Sequence, residues 1–304
     1  MISLIIPTHE RHTSLLRLIN SIRQQKVLPA ELIIVSNLKD SFLVGASFLQ
    51  ATQGLPTVVS HVGKVGVNGA RNLGLQKAKQ DIVFFVDDDC ELIDPQFLRK
   101  LCDLHEQNLD TFAIGGSYIS PSNARAIDKA YNIMARAWQS PQLFGENQSW
   151  RLLGGNLSFK RHELLNTQQT FNEDIAFGGA ETEFLERLQK LEHKALFIDS
   201  LELCHHTHLD EKNLVSKAFY QAITHSRYQV DGGVEDNYYQ AKKALWAREI
   251  ASGEEEFLEI LYYMELYNQA FQIALKDKSL RKSHRLGRKL ALDSIGNSNR
   301  SLWL

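Results

Sequence analysis

Four short apolar, β-branched runs alternate with helical patterns in the first part of the chain. The runs are Ile2 to Ile6, Leu32 to Val35, Thr57 to Ser60 and Ile82 to Val86, and the intervening patterns include TSLLRLINSIRQQ and NGARNLGLQKAK. This alternation leaves few folds open. A strand that returns through a helix to its neighbour lies parallel to it, and a parallel sheet needs cover on both faces, so an α/β domain is expected. Such strands deliver their C-terminal ends to one edge, where ligands bind. The residues just after them are therefore the first candidates: Pro7, Thr8, His9 and Arg11, then Ser36 and Asn37, then His61, then Asp87 to Asp89.

The fourth of these junctions is the most acidic. In DIVFFVDDDCELIDP, Asp81 to Pro95, an unbroken apolar run meets three consecutive carboxylates. Neighbouring carboxylates repel and resist desolvation unless positive charge sits among them, which predicts a bound cation. Asp94 ahead of Pro95 reads as a helix start and explains its own charge as a cap. The three Asp before it exceed what a cap needs.

Composition narrows the partners. Lys+Arg 34 against Asp+Glu 36 gives a formal net charge of -2, so no global field directs the protein to nucleic acid. The three cysteines, Cys90, Cys102 and Cys204, form no CxxC pair, which fits a reducing compartment and a cytoplasmic location. MISLIIPTHERH begins a strand at once, without the features of a secretory leader. The most apolar helical stretch, FLEILYYMELYNQAFQIAL from Phe257, is broken by Glu259, Glu265, Asn268 and Gln269 and reads as an amphipathic packing helix.

Beyond about residue 110 the pattern changes to glycine-containing strand candidates, FAIGGSYIS and RLLGGNLSFK, then a helix at AETEFLERLQKL. From about residue 235 the chain reads as helical, acidic at GEEEFLE and basic at KDKSLRKSHRLGRKL. The expected organisation is a domain over 1–230, with halves 1–110 and 111–230, and a helical extension over 231–304. The basic run from Lys276 to Lys289 has two readings, a solvated helix face or a peripheral contact with the anionic inner face of a membrane.

Four stretches, SLIIPTHER, GVNGARNLGLQKAKQDIVFFVDDDC, GGNLSFKRHELL and FNEDIAFGGAETEFLERL, fall in the order and at the spacing of the family 2 glycosyltransferases. The resemblance covers roughly the first 230 residues. It implies a GT-A-like, Rossmann-type, mostly parallel sheet flanked by helices, here with a C-terminal helical extension. It also implies inverting sugar transfer from a nucleotide-diphosphate sugar, a UDP-sugar first, to a carbohydrate or lipid-linked acceptor hydroxyl, with Mn2+ or Mg2+ as cofactor and polysaccharide or glycolipid synthesis as the setting. A catalytically silent sugar-binding or scaffold protein of the same fold is the alternative.

The chemistry agrees with that implication. A leaving diphosphate gathers negative charge as its bond to the sugar breaks, and a carboxylate-held cation neutralises it. By the resemblance, Asp87 lies near the donor ribose and Asp89 ligates the metal, with Asp88 between them either in contact with the donor or supporting the site from behind. Pro7, Thr8 and Arg11 fall in the first nucleotide loop, and Arg71 in NGARNLGL on the helix near the uracil and diphosphate. Gly69 and Gly74 flank Arg71 and suggest close packing or ligand approach. Ser36 stands where the family commonly has a base-binding Asp. Gly154, Gly155 and Asn156 fall in the sugar and acceptor region.

An acceptor hydroxyl needs a carboxylate to take its proton. The family's Glu-Asp pair falls on Ala180 and Glu181, so Glu181 inherits the base role and the first acid is missing. A plain helix-start acid is the competing reading. In CHHTHLD, Cys204 to Asp210, adjacent histidines point to opposite sides of an extended chain, which argues against a closed zinc site. His206 is expected to complete the cation site with Asp89, and His208 is the alternate. A sugar nucleotidyltransferase is disfavoured because IIPTHERHTS lacks the glycine-rich phosphate loop.

Overall fold

The computed structural model of the 304-residue chain describes residues 1–63, 66–139, 151–175, 178–228 and 254–276. Strand β1 is Ile2–Thr8, and helix α1, His12–Arg23, leads to β2, Glu31–Ser36. Helix α2, Ala46–Thr52, leads to β3, Thr57–His61, and α3, Val67–Lys77, to β4, Ile82–Val86. Each of the four expected strands is present: the first two are two residues longer than expected, the third is one longer, and the fourth has the expected bounds. A two-residue β5, Cys90–Glu91, and α4, Phe97–Gln107, follow. Asp94 opens a turn: its carboxylate accepts from Gln96 N, 2.9 Å away, and the helix starts at Phe97 and not at Pro95.

The remaining strands are β6, Thr111–Ile119, β7, Asn156–Lys160, and β8, Lys194–His205. Of RLLGGNLSFK, only Asn156 onward is strand; Gly154 and Gly155 form the turn before it. The eight strands of the described residues make one sheet in the order β3-β2-β1-β4-β7-β6-β8-β5. Four of its seven pairings are parallel; β4 with β7, β6 with β7 and β5 with β8 are antiparallel. The sheet thus runs across the boundary expected at residue 110, because β7 pairs with β4 and carries β6 and β8 with it. The two expected halves are one hydrogen-bonded body.

Central strands β1, β2 and β4 are buried along their whole length, as a sheet covered on both faces requires. Helix α3 lies close to β1 because Gly74 has no side chain; a Cβ there would run into Ile5. Helix α7, Ala180–Gln189, contributes Phe184, Leu185 and Leu188 to the same core as Phe85, Phe159 and Phe171. Short helix α6, Arg161–Asn166, follows β7 directly.

A compact unit comprises 1–121, 139–176 and 180–206, and so contains the sheet. A second contains α5, Ala126–Gln139 (save its last residue), α8, Glu211–Tyr228, and α9, Glu254–Lys276. Within it, Leu214, Phe219 and Ile223 of α8 pack with Leu266, Ala270 and Phe271 of α9. The helix expected from Phe257 is therefore present and buries its apolar face. Among the described residues no helix is long and apolar enough to cross a membrane. The basic run after Lys276 lies outside the described residues.

Candidate active site

Strands β1, β2 and β3 step outward in one direction, whereas β4 joins β1 on its other side. The chain therefore reverses its winding between β1 and β4, and a crevice opens at the C-terminal ends there. Pairing of β1 with β4 stops at Ile5 and Phe85, while β1 and β2 stay paired to Thr8 and Ser36. Thr8 and Arg11 thus face the loop Asp87 to Asp89 across the crevice.

Arginines hold the three carboxylates in this structure. Arg11 Nη1 lies 2.6 Å from Asp89 Oδ2 and 3.2 Å from Asp88 Oδ1. Its guanidinium supplies the positive charge that the sequence demanded, and Asp89, foremost, holds its pKa above the ordinary value. Asp88 is buried and accepts a 2.7 Å hydrogen bond from Thr8 Oγ1. Burial, then the Asp89 charge, pushes its pKa up to about 7. Asp88 thereby holds Thr8 and Arg11 together.

Arg71 is 2% exposed, and its Nη2 donates to Asp87 Oδ1 at 3.1 Å. Its Nη1 lies 3.8 Å from Glu181 Oε2, and its guanidinium sits 5.5 Å from the Phe171 ring centre. A single buried cation thereby joins the first Asp of the acidic cluster to the first turn of α7. Neither its Nε nor its Nη1 has a hydrogen-bond acceptor. Glu181 itself is partly open, with a side chain 23% exposed, at a helix end that favours negative charge.

The glycines before β7 serve this arrangement. A Cβ on Gly154 would lie 2.5 Å from Arg71 Nη2, and one on Gly155 would lie 2.5 Å from the Asp87 carboxylate and strike the Tyr118 hydroxyl. They leave room for charged groups already present. Asn156 is fully buried and its Nδ2 donates to Ser117 O at 3.1 Å and Leu201 O at 2.9 Å, so it ties β6 to β8. The side chain expected in the sugar and acceptor region is thus engaged with the backbone of two strands. Pro7 is buried in β1 opposite Val35, and Ser36 is buried with its Oγ accepting from Leu38 N at 3.3 Å. Asn37 Nδ2 donates to Gly66 O at 2.8 Å, holding the loop that starts α3.

The histidines divide as an extended chain dictates, and the ring facing Asp89 is that of His205, not His206. His205 Nε2 stands 3.5 Å from Asp89 Oδ1, and its ring packs 4.2 Å from that of Tyr118. The His206 ring turns the other way, its Nε2 2.8 Å from Glu91 Oε2. Only its backbone reaches Asp89, His206 N donating to Asp89 O at 2.8 Å. The pairing of His206 with Asp89 as joint ligands is thus corrected by the alternation of β8: Cys90 lies opposite His205, and Glu91 opposite Cys204. His208 falls in the second compact unit. Sequence reasoning missed His205, Tyr118 and Glu91. The alternation that separates His205 from His206 was visible, whereas the strand opposite was needed to say which one meets Asp89.

The chain belongs to glycosyl transferase family 2, whose model matches residues 3–167, more than half of the chain. Its fold is GT-A-like. A glucosyl-dolichyl phosphate glucuronosyltransferase of Haloferax volcanii is 25% identical over 182 residues, covering 58% of this chain and 52% of that one. An uncharacterized glycosyltransferase, YwdF, of Bacillus subtilis is 33% identical over 102 residues, covering 33% of this chain and 36% of its own. This chain thus spans about half the length of the first relative and about a third of the second. Among solved structures, a mannosyltransferase from Pyrobaculum calidifontis in complex with GDP-Man and Mn2+ superimposes with a TM-score of 0.60 at 15% identity, over 91% of this chain and 87% of that one. S. aureus TarS 1-349 in complex with UDP gives 0.53 at 15% identity, over 96% and 88%. At such identities the likeness speaks for the fold alone.

Proposed function

We propose that the chain transfers a sugar from a nucleotide-diphosphate donor to an acceptor hydroxyl with inversion, using a divalent cation and Glu181 as base. The observation that carries this is the Arg71 bridge, which puts Asp87 and Glu181 on one buried guanidinium. A base fixed relative to the donor-holding carboxylate is what an in-line attack needs. Glu181 takes the proton of the acceptor hydroxyl as its oxygen attacks the anomeric carbon, and the bond to the diphosphate breaks on the opposite face. Arg71 is a positioning residue in this reading, since it is buried against Gly154 and reaches both carboxylates.

The residues fit a divalent cation at Asp89. Its Oδ1 and His205 Nε2, 3.5 Å apart, are at a separation that two ligands of one ion adopt, and the mixed carboxylate and imidazole set suits Mn2+ better than Mg2+. A bound cation supplies positive charge against the leaving diphosphate. Arg11, half exposed, holds the other Asp89 oxygen and offers a second positive group to the same diphosphate. The donor series proposed for first trial is UDP-sugars, with GDP-sugars second, and the acceptor is a carbohydrate or lipid-linked hydroxyl. A mannosyltransferase of this fold is named with GDP-Man and Mn2+, and TarS with UDP.

Replacing Glu181 by Gln keeps the shape and removes the base. The expected result is a turnover loss of about 10²–10⁴-fold with donor affinity unchanged. A fully active Glu181→Gln enzyme would overturn the base assignment.

A further inference from the structure

Behind the donor face, the β5–β8 ladder carries a second group of ligating side chains. Glu91, Cys204 and His206 each present one ligand atom, all within 4.8 Å of one another, and they are the one such group of three among the described residues. They come together because Glu91 lies directly opposite Cys204, and His206, two residues further on, returns to the same face. Cys90 and His205, paired with each other, face the opposite way, toward Tyr118 and Asp89. The two faces share backbone but no side chain.

We propose that Glu91, Cys204 and His206 form a zinc site separate from the donor cation site, a clasp between β5 and β8. Thiolate, imidazole and carboxylate are the ligand types zinc prefers, and a soft thiolate selects it over Mg2+ and Mn2+. Three protein ligands leave a fourth position for water, and the partial exposure of Glu91 and His206 gives an ion an entry path. Cys204 is buried, and its thiol is held protonated by burial and by the Glu91 charge, so it is quiet until a metal displaces the proton. Arg17, on α1, pulls the other way and favours the thiolate. Since His206 N also holds Asp89 O, an ion on this face stiffens the loop that carries the acidic cluster.

Cobalt is the probe, because a thiolate bound to Co2+ gives a near-ultraviolet charge-transfer band. Metal-free full-length protein is titrated with Co2+ and then with Zn2+ as competitor. The expected result is one thiolate-bound Co2+ per chain, displaced by Zn2+. The band is expected to disappear in Cys204→Ser, to need about 10- to 100-fold more Co2+ or worse in Glu91→Gln, and to persist in Asp89→Ala and Cys90→Ser. No band in the folded wild-type protein overturns the proposal, as does a band that survives Cys204→Ser or vanishes in Asp89→Ala. Should Cys204→Ser not fold, protection of the wild-type thiol from alkylation by stoichiometric Zn2+ decides, and equal labelling with and without Zn2+ refutes the site. Loss of nucleotide binding in Asp89→Ala bears on the donor site alone, so the two proposals fail separately.

Discussion

His205 and His206 are neighbours in sequence and strangers in space. One faces Asp89 and Tyr118 on the side of the β5–β8 ladder proposed for the donor, and the other faces Glu91 and Cys204 on the back. The side proposed for the donor is governed by charge: two arginines divide three carboxylates, and glycines keep the space open. The back is governed by donor type, with sulfur, nitrogen and oxygen drawn to one point. A strand end can thus serve two chemistries, because successive side chains leave it in opposite directions.

The sharpest way to break this comparison is at Asp89. On the donor side, Asp89→Ala is expected to cut turnover by about 10²–10³-fold, the cost of removing one preorganised electrostatic contact, whereas His206→Gln keeps turnover within a few fold. Steady-state kinetics on both variants checks it. Equal losses would mean that the two faces act as one site.

A third histidine serves as a control that belongs to neither face. His105 of α4 is 3% exposed with its Nε2 2.8 Å from Ser158 Oγ, and burial, then Lys160, lowers its pKa to about 4. The unfolded imidazole takes up a proton near pH 6.5 and the folded one not until about 4, so stability falls as pH falls through that window. The loss is about 3 kcal/mol at most. Chemical denaturation of wild type and His105→Gln at several pH values checks it: the variant's curve is expected to be flatter, with nucleotide binding unaltered.

Smaller again is the effect of crowding the donor side. Gly155→Ala forces a methyl group into the Asp87 carboxylate and is expected to cost about 1–3 kcal/mol in stability and to weaken nucleotide binding. Gly74→Ala, beneath Ile5, serves as the matched comparison, with a similar stability loss and donor affinity spared. Denaturation curves and nucleotide titration together separate the two.

Much of the fold was legible because period and burial agree in β1, β2 and β4, whose apolar runs are too continuous for any but a covered sheet. The acidic cluster was legible for the opposite reason, as charge where burial was expected. What could not be read is partnership across long sequence separations. The sequence puts Arg11 in the first nucleotide loop but does not reveal that its guanidinium reaches Asp88 and Asp89. The room that Gly154 and Gly155 leave for Arg71 and Asp87 is likewise visible only in the fold. Register also escaped: which histidine meets Asp89 depends on Cys90 lying opposite His205, set by β5 more than a hundred residues away.

Calorimetric titration with UDP, GDP, CDP and dTDP, with and without Mn2+, tests the central claim most directly. Metal-dependent binding of one nucleotide, lost in Asp89→Ala and kept in Glu181→Gln and Cys204→Ser, is the predicted result. Binding that ignores Mn2+, or that survives Asp89→Ala unchanged, would contradict it.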